Sequence, residues 1–128
     1  MANERLETNG ILNNQSAGTL IFLGGACRTI VKISLAMPIG TTNIVAAGGA
    51  GTYIYVVGWQ FSCDTDATTF KFTDSTPADL TAVQTFMKGG GEVVFPYKTL
   101  LLKTAANTIL QGVSLVGNVT GTVWYCQF

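Results

Sequence analysis

Histidine is absent from the 128 residues, and that removes much of enzyme chemistry before any fold is considered. No Ser–His or Cys–His nucleophile pair and no histidine-ligated metal centre can be assembled from this chain. Charge is scarce as well. Asp, Glu, Lys and Arg make up 11% of the residues, where an ordinary soluble domain carries about 25%. Seven basic residues balance seven acidic ones, so no net field draws nucleic acid or an anionic membrane surface, and neither is expected as a partner. The three cysteines, Cys27, Cys63 and Cys126, are odd in number and far apart. They make neither a disulfide framework nor a CxxC metal knuckle, and read as small buried hydrophobes of a reducing compartment. No cofactor and no metal is expected, and the chain reads as a non-enzyme.

The missing charge is missing in blocks. None occurs from Ile33 to Cys63, and none from Thr104 to Phe128. A membrane-spanning helix needs about 20 mainly apolar residues in sequence. The first block is broken by Pro38, Gly40, Gly48, Gly49, Gly51 and Gly58, and the second is threaded with Thr, Asn, Gln, Ser and Gly, so neither reads as a span. Interfaces between subunits are depleted in charge at their centres, and an oligomer covers such tracts. The N-terminus, MANERLETNG, is polar and lacks the basic leader and apolar run of a secretory signal.

What is present is a β pattern. From Ile30 onward, short runs of β-branched and aromatic residues are broken by Gly, Asn, Asp and Pro every 8 to 12 residues or so, the mark of a sandwich or barrel. Strands are predicted over 29–35, 42–46, 53–63, 68–73, 82–87, 92–95, 97–104, 108–115 and 119–127, enough for two packed sheets. In TTFKFTD, Phe70 and Phe72 share one face while Lys71 faces away, the period of a half-buried strand. Residues 76–88 space Leu80, Val83, Gln84 and Met87 at helical intervals, yet read equally as a loop and then a strand.

TYIYVVGWQFSC changes parity within itself. Ile54 and Val56 define one face, and Trp59, Phe61 and Cys63 fall on the other. A β-bulge at Val57–Gly58 would bring both sets into one core; without it, one set faces the core and the other an interface. Gly89–Gly90–Gly91 resembles a phosphate cradle only superficially, because EVVFPY follows it and a cradle must lead into a helix N-terminus. That run, and GGAGT at 48–52, are predicted turns.

Asp64, Asp66, Asp74 and Asp79 are the candidates for a calcium site or a carboxylate pair. They lie among Thr, Ser and Pro and read as solvated turn residues. Trp59, Trp124, Tyr53, Tyr55, Tyr97 and Tyr125 are the candidates for stacking on sugar rings, against a competing role in core and interface packing.

TNIVAAGGAGTYIYVVGWQFSCDTDATTFKF, then GGGEVVFPY, LLLKTAANTILQG and the closing VTGTVWY, resemble in order and spacing the small jelly-roll domains of tailed bacteriophages. Such domains serve as head decoration (cement) proteins and as modules of head or tail fibres. The resemblance implies an all-β fold, a jelly-roll-like antiparallel β-sandwich over residues 27–128, preceded by an extended N-terminal arm, residues 1–26. It implies that Ile54 and Val56 open the core, that Pro96–Tyr97 marks a corner between sheets, and that Gly121, Val123 and Tyr125 belong to the last strand. It also implies a homotrimer on the outer surface of a phage head, made in the host cytoplasm, with the major capsid protein as partner. The alternative is a receptor- or carbohydrate-binding module of a head or tail fibre. In the arm, Arg5, Leu6, Ile11, Leu12, Leu20, Ile21 and Phe22 are the candidate capsid-binding residues, because inert tails seldom keep so many large apolar side chains.

Overall fold

The fold comes from a computed structural model that describes residues 20–23, 26–94 and 102–128, with side chains from Arg28 onward. Its strands are β1 (Leu20–Leu23), β2 (Ala26–Thr29), β3 (Val31–Met37), β4 (Gly40–Val45), β5 (Ile54–Cys63), β6 (Thr68–Asp74), β7 (Gln84–Phe86), β8 (Gly91–Val94), β9 (Leu102–Lys103), β10 (Leu110–Leu115) and β11 (Val119–Gln127). β1 and β2 form a separate hairpin. β1 lies in the segment expected as an arm, and β2 crosses the boundary expected at residue 27. Pro96–Tyr97 and most of the strand expected over 97–104 lie outside the described residues.

The remaining strands form two antiparallel sheets packed as a sandwich. One runs β4-β10-β6-β7, and the other β3-β11-β5-β8 with β9 also pairing β5. The first sandwich strand pairs with the last, β3 with β11, and the winding continues inward through β4 with β10, β5 with β8, and β6 with β7. That rolled pairing is jelly-roll-like. The inner faces of the two sheets pack against each other.

The core fills the space between the sheets. Leu35, Met37, Ile44, Ile54, Val56, Trp59, Phe61, Cys63, Phe70, Phe72, Leu110, Val119 and Val123 form one buried cluster. Phe70 and Phe72 meet edge to face at 4.9 Å, and Trp59 lies across Phe72 at 5.2 Å, the geometry that aromatic quadrupoles favour. The parity change in β5 is resolved as a bulge. Trp124 pairs with Gly58 and Tyr125 with Val56, which leaves Val57 as the extra residue. Ile54 and Val56 therefore share the core with Trp59, Phe61 and Cys63. Val57 turns to the outer face of its sheet and is buried there with Ile30 and Cys126, against Trp124 and Phe128.

Residues 76–88 are a loop followed by β7, with no helix. The amides that would continue a helix past its first turn bond back to β6 instead. Thr76 and Ala78 donate to the Asp74 carboxylate, and Leu80 and Thr81 donate to the Phe72 carbonyl. Gly89–Gly91 leads directly into β8, with the Gly90 amide closing a turn onto the Met87 carbonyl at 2.7 Å. Gly89 there has φ 79°, which glycine adopts at little cost.

Candidate functional site

Four turns gather at one end of the sandwich: 38–39 between β3 and β4, 64–67 between β5 and β6, 87–90 between β7 and β8, and 116–118 between β10 and β11. Strand register places them side by side, because Ser114 pairs with Gly40, Leu115 with Thr69, and Thr68 with Phe86. Hydrogen bonds then tie one turn to the next. The Asp64 amide donates to the Asn118 carbonyl, the Gly89 amide to the Cys63 carbonyl, and the Lys88 amide to the Asp66 carboxylate. Three of the four turns of this platform are thus braced against one another, and the 38–39 turn is placed beside them by the pairing of Gly40 with Ser114.

Turns are normally polar. This platform instead presents Ile39, Met87, Leu115 and Val116, each more than half exposed. They spread across the end of the four-stranded sheet over roughly 15 Å, three strand spacings. A shallow hollow lined by Ala36, Met37, Pro38, Asn118 and Thr120 adjoins them. The rim carries Asp64 and Asp66 against Lys88. The Asn118 amide and the Thr65 hydroxyl, both donating to Asp64, hold its carboxyl below the usual carboxylate range. The surface offers apolar contact beside these rim charges.

Val116 has φ 80°. For a β-branched residue this is a true outlier, of a kind that costs on the order of 1–3 kcal/mol and persists where surroundings or function hold it. Val116→Gly is expected to raise stability by about 1 kcal/mol, read as an upward shift of the denaturant midpoint. An unchanged or lower midpoint would show that the valine side chain compensates its own backbone.

The four aspartates do not converge. Asp64 and Asp66 sit on this end, whereas Asp74 and Asp79 lie at the far end of β6 and the loop after it. Among the described residues no group of three or more acidic or cysteine side chains is placed to hold a metal. Asp79 pairs with Lys71 at 2.7 Å on the surface. Asp74 corrects the expectation of a solvated turn residue: it is 1% exposed, and its carboxylate accepts from the Thr76 hydroxyl and from the amides of Thr76, Ala78 and Ala105.

The aromatic candidates divide likewise. Trp59 is in the core and donates its indole N–H to Glu92 at 2.9 Å. At the end away from the platform, Tyr55 stacks on Phe128 at 4.3 Å, the Arg28 guanidinium covers the Phe128 ring at 3.7 Å, and the Lys103 ammonium sits 4.1 Å from the Tyr53 ring centre. These rings are occupied by cations and by one another. Trp124 packs on the outer-face cluster and Tyr125 on the core, while Tyr97 lies outside the described residues.

Of the candidate arm residues, Arg5, Leu6, Ile11 and Leu12 lie outside the described residues, and Leu20, Ile21 and Phe22 are placed as backbone in β1. Cys63 and Cys126 are buried free thiols; burial pushes the Cys126 thiol up, with Arg28 opposing. Ile39, Met87, Leu115 and Val116 were not among the candidate site residues read from the sequence. Their signal was an apolar Leu–Val pair directly before Gly117 and an isoleucine between Pro38 and Gly40, where turn formers are expected. No family model, curated protein or solved structure matches the chain.

Proposed function

We propose that this chain is a non-enzymatic structural protein of a phage virion, a homotrimeric decoration (cement) protein that binds the outside of the head and reinforces contacts between major capsid subunits. The observation that carries the reading is the platform: exposed Ile39, Met87, Leu115 and Val116 at one end of a charge-poor sandwich, where hydrogen bonds brace three of the four turns. Protein-binding patches are apolar at the centre and poor in charge. A surface that meets its partner only in the mature shell stabilises that state by linkage, as any ligand stabilises the form it prefers. The fibre-module alternative calls for exposed aromatics beside amides, and the exposed large hydrophobic side chains among the described residues are aliphatic or methionine. That favours the decoration reading.

The reading is tested first in solution. Light scattering at micromolar concentration is expected to return three times the 13.5 kDa of the chain, and a stable monomer would remove both the trimer and the explanation of the uncharged tracts. Co-purification with intact particles then separates the two virion roles: the decoration protein is expected on heads and absent from isolated tails. Its appearance on tails alone would turn the assignment to the fibre module.

A further inference from the structure

We propose that the outer edge of β3, unpaired among the described residues, is completed by residues 1–19 of a second copy, each subunit lending its leading segment as an added strand to its neighbour. The proposal rests on the trimer reading above and says what holds that trimer together.

Sheet edges are normally blunted, because their unpaired N–H and C=O groups would otherwise recruit further strands. Both edges of the four-stranded sheet follow that rule. β7 has three residues, and β4 is interrupted by a bulge at Ile44, where Leu110 pairs with Val45 and Gln111 with Asn43. β3 does not. It runs seven residues, pairs one to one with β11 without a shift, and carries Lys32 as its single charge. Among the described residues nothing pairs with its outer side. At its end lies the hollow of about 270 Å³ lined by Ala36, Met37, Pro38, Asn118 and Thr120. An open edge beside a side-chain pocket is the arrangement that strand addition uses: main-chain bonds give affinity, and the pocket takes an alternate side chain.

The leading segment matches this edge in charge and in spacing. It carries Glu4, Arg5 and Glu7, and then no charge from Thr8 through Cys27. The edge likewise has Lys32 near its start and no charge from Ile33 on. Lys32, Ser34 and Ala36 are exposed and share one face of β3. Glu7 and Ile11 are separated by the same four residues as Lys32 and Ala36. A single parallel register therefore sets Glu7 beside Lys32 and brings Ile11 to the hollow at Ala36, with both pairs on the same face. Nineteen extended residues reach up to roughly 60 Å, enough to cross to an adjacent sandwich. Donation in one direction is a head-to-tail contact, and three such contacts in a ring make the trimer proposed above.

The experiment uses the full wild-type chain, prepared as a co-refolded mixture of light and heavy nitrogen-labelled protein and treated with a zero-length carbodiimide. The expected product is an amide between Glu7 and Lys32, about half of it joining a light peptide to a heavy one. Full-length Ala36→Lys, altered at an exposed position, is expected to lower the yield of that product roughly tenfold by placing a charge in the hollow. Absence of the product, or its occurrence only in unmixed pairs, overturns the proposal, the second outcome meaning that the segment covers β3 of its own chain. If scattering finds a trimer and no mixed pair forms, strand donation falls and the trimer stands. If scattering finds a monomer, both fall.

Discussion

Asp74→Ala is expected to destabilise the protein by about 3–5 kcal/mol, because a buried acceptor would vanish while its donors remain. One carboxylate oxygen takes the Thr76 hydroxyl and the Thr76 and Ala78 amides, and the other takes the Ala105 amide at 3.0 Å. The residue thus pins the loop after β6 to the segment before β10. Burial pushes its carboxyl up, but the Thr76 hydroxyl and the Ala105, Ala78 and Thr76 amides outweigh that and hold it at about 2, below its ordinary 3.8. A carboxyl depressed in the folded state stabilises above its unfolded value and loses that contribution as pH falls through its folded value. Stability should therefore drop by about 2–3 kcal/mol between roughly pH 4 and pH 2. Asp74→Asn keeps the shape but turns an NH2 toward the Ala105 amide, so it should cost about 2 kcal/mol and flatten this acid limb. Denaturant midpoints across pH check both. A wild-type acid limb that survives unchanged in Asp74→Asn would assign it to other carboxylates.

Gly121→Ala and Gly91→Ala form the second large effect, with roughly 3–5 kcal/mol expected at each. A Cβ at Gly121 would overlap the Gln60 carbonyl oxygen and lie 2.6 Å from the Phe61 Cα, and one at Gly91 would overlap the Phe61 carbonyl oxygen and lie 2.8 Å from the Ser62 Cα. Both obstacles are backbone of β5, which is held from two sides by β11 and β8 and cannot step aside. Gly112 provides the contrast. Its Cβ would meet the Met37 methyl at 2.5 Å, and the end of a flexible thioether can move. Gly112→Ala should therefore cost only about 1 kcal/mol. Equal penalties at Gly112 and Gly121 would show that the strands beside Phe61 relax more readily than their spacing implies.

Alternation made most of the sandwich readable in advance. β6 follows from its period, and the bulge follows from the parity change between Val56 and Trp59, since only an extra residue lets Ile54 and Phe61 share a core. The Asp74 knot was not readable. An aspartate among Ser, Thr and Pro looks the same whether its oxygens meet water or the amides of Ala78 and Ala105, and Ala105 is distant in sequence. The platform was half readable. Each of Ile39, Met87, Leu115 and Val116 is an ordinary apolar residue near a strand end, and only the register of the four-stranded sheet makes them neighbours. The edge of β3 needed the sheet order too, because nothing in VKISLAM says on which side a strand goes unpaired.

The rolled pairing sets a schedule for folding. β3 waits for β11 and β4 for β10, so the strands synthesised early are matched to partners at the far end of the chain. Ordering such distant pairs is slow, because the entropy of a long closed loop must be met before the contacts form. A nascent chain halted before Val119 would hold β3 and β5 with no strand between them. It would expose Ile33, Leu35, Val56 and Phe61 together, a sticky species during translation. The sandwich is therefore completed from its C-terminal side, and residues 119–127 act as the key that locks the strands made before them.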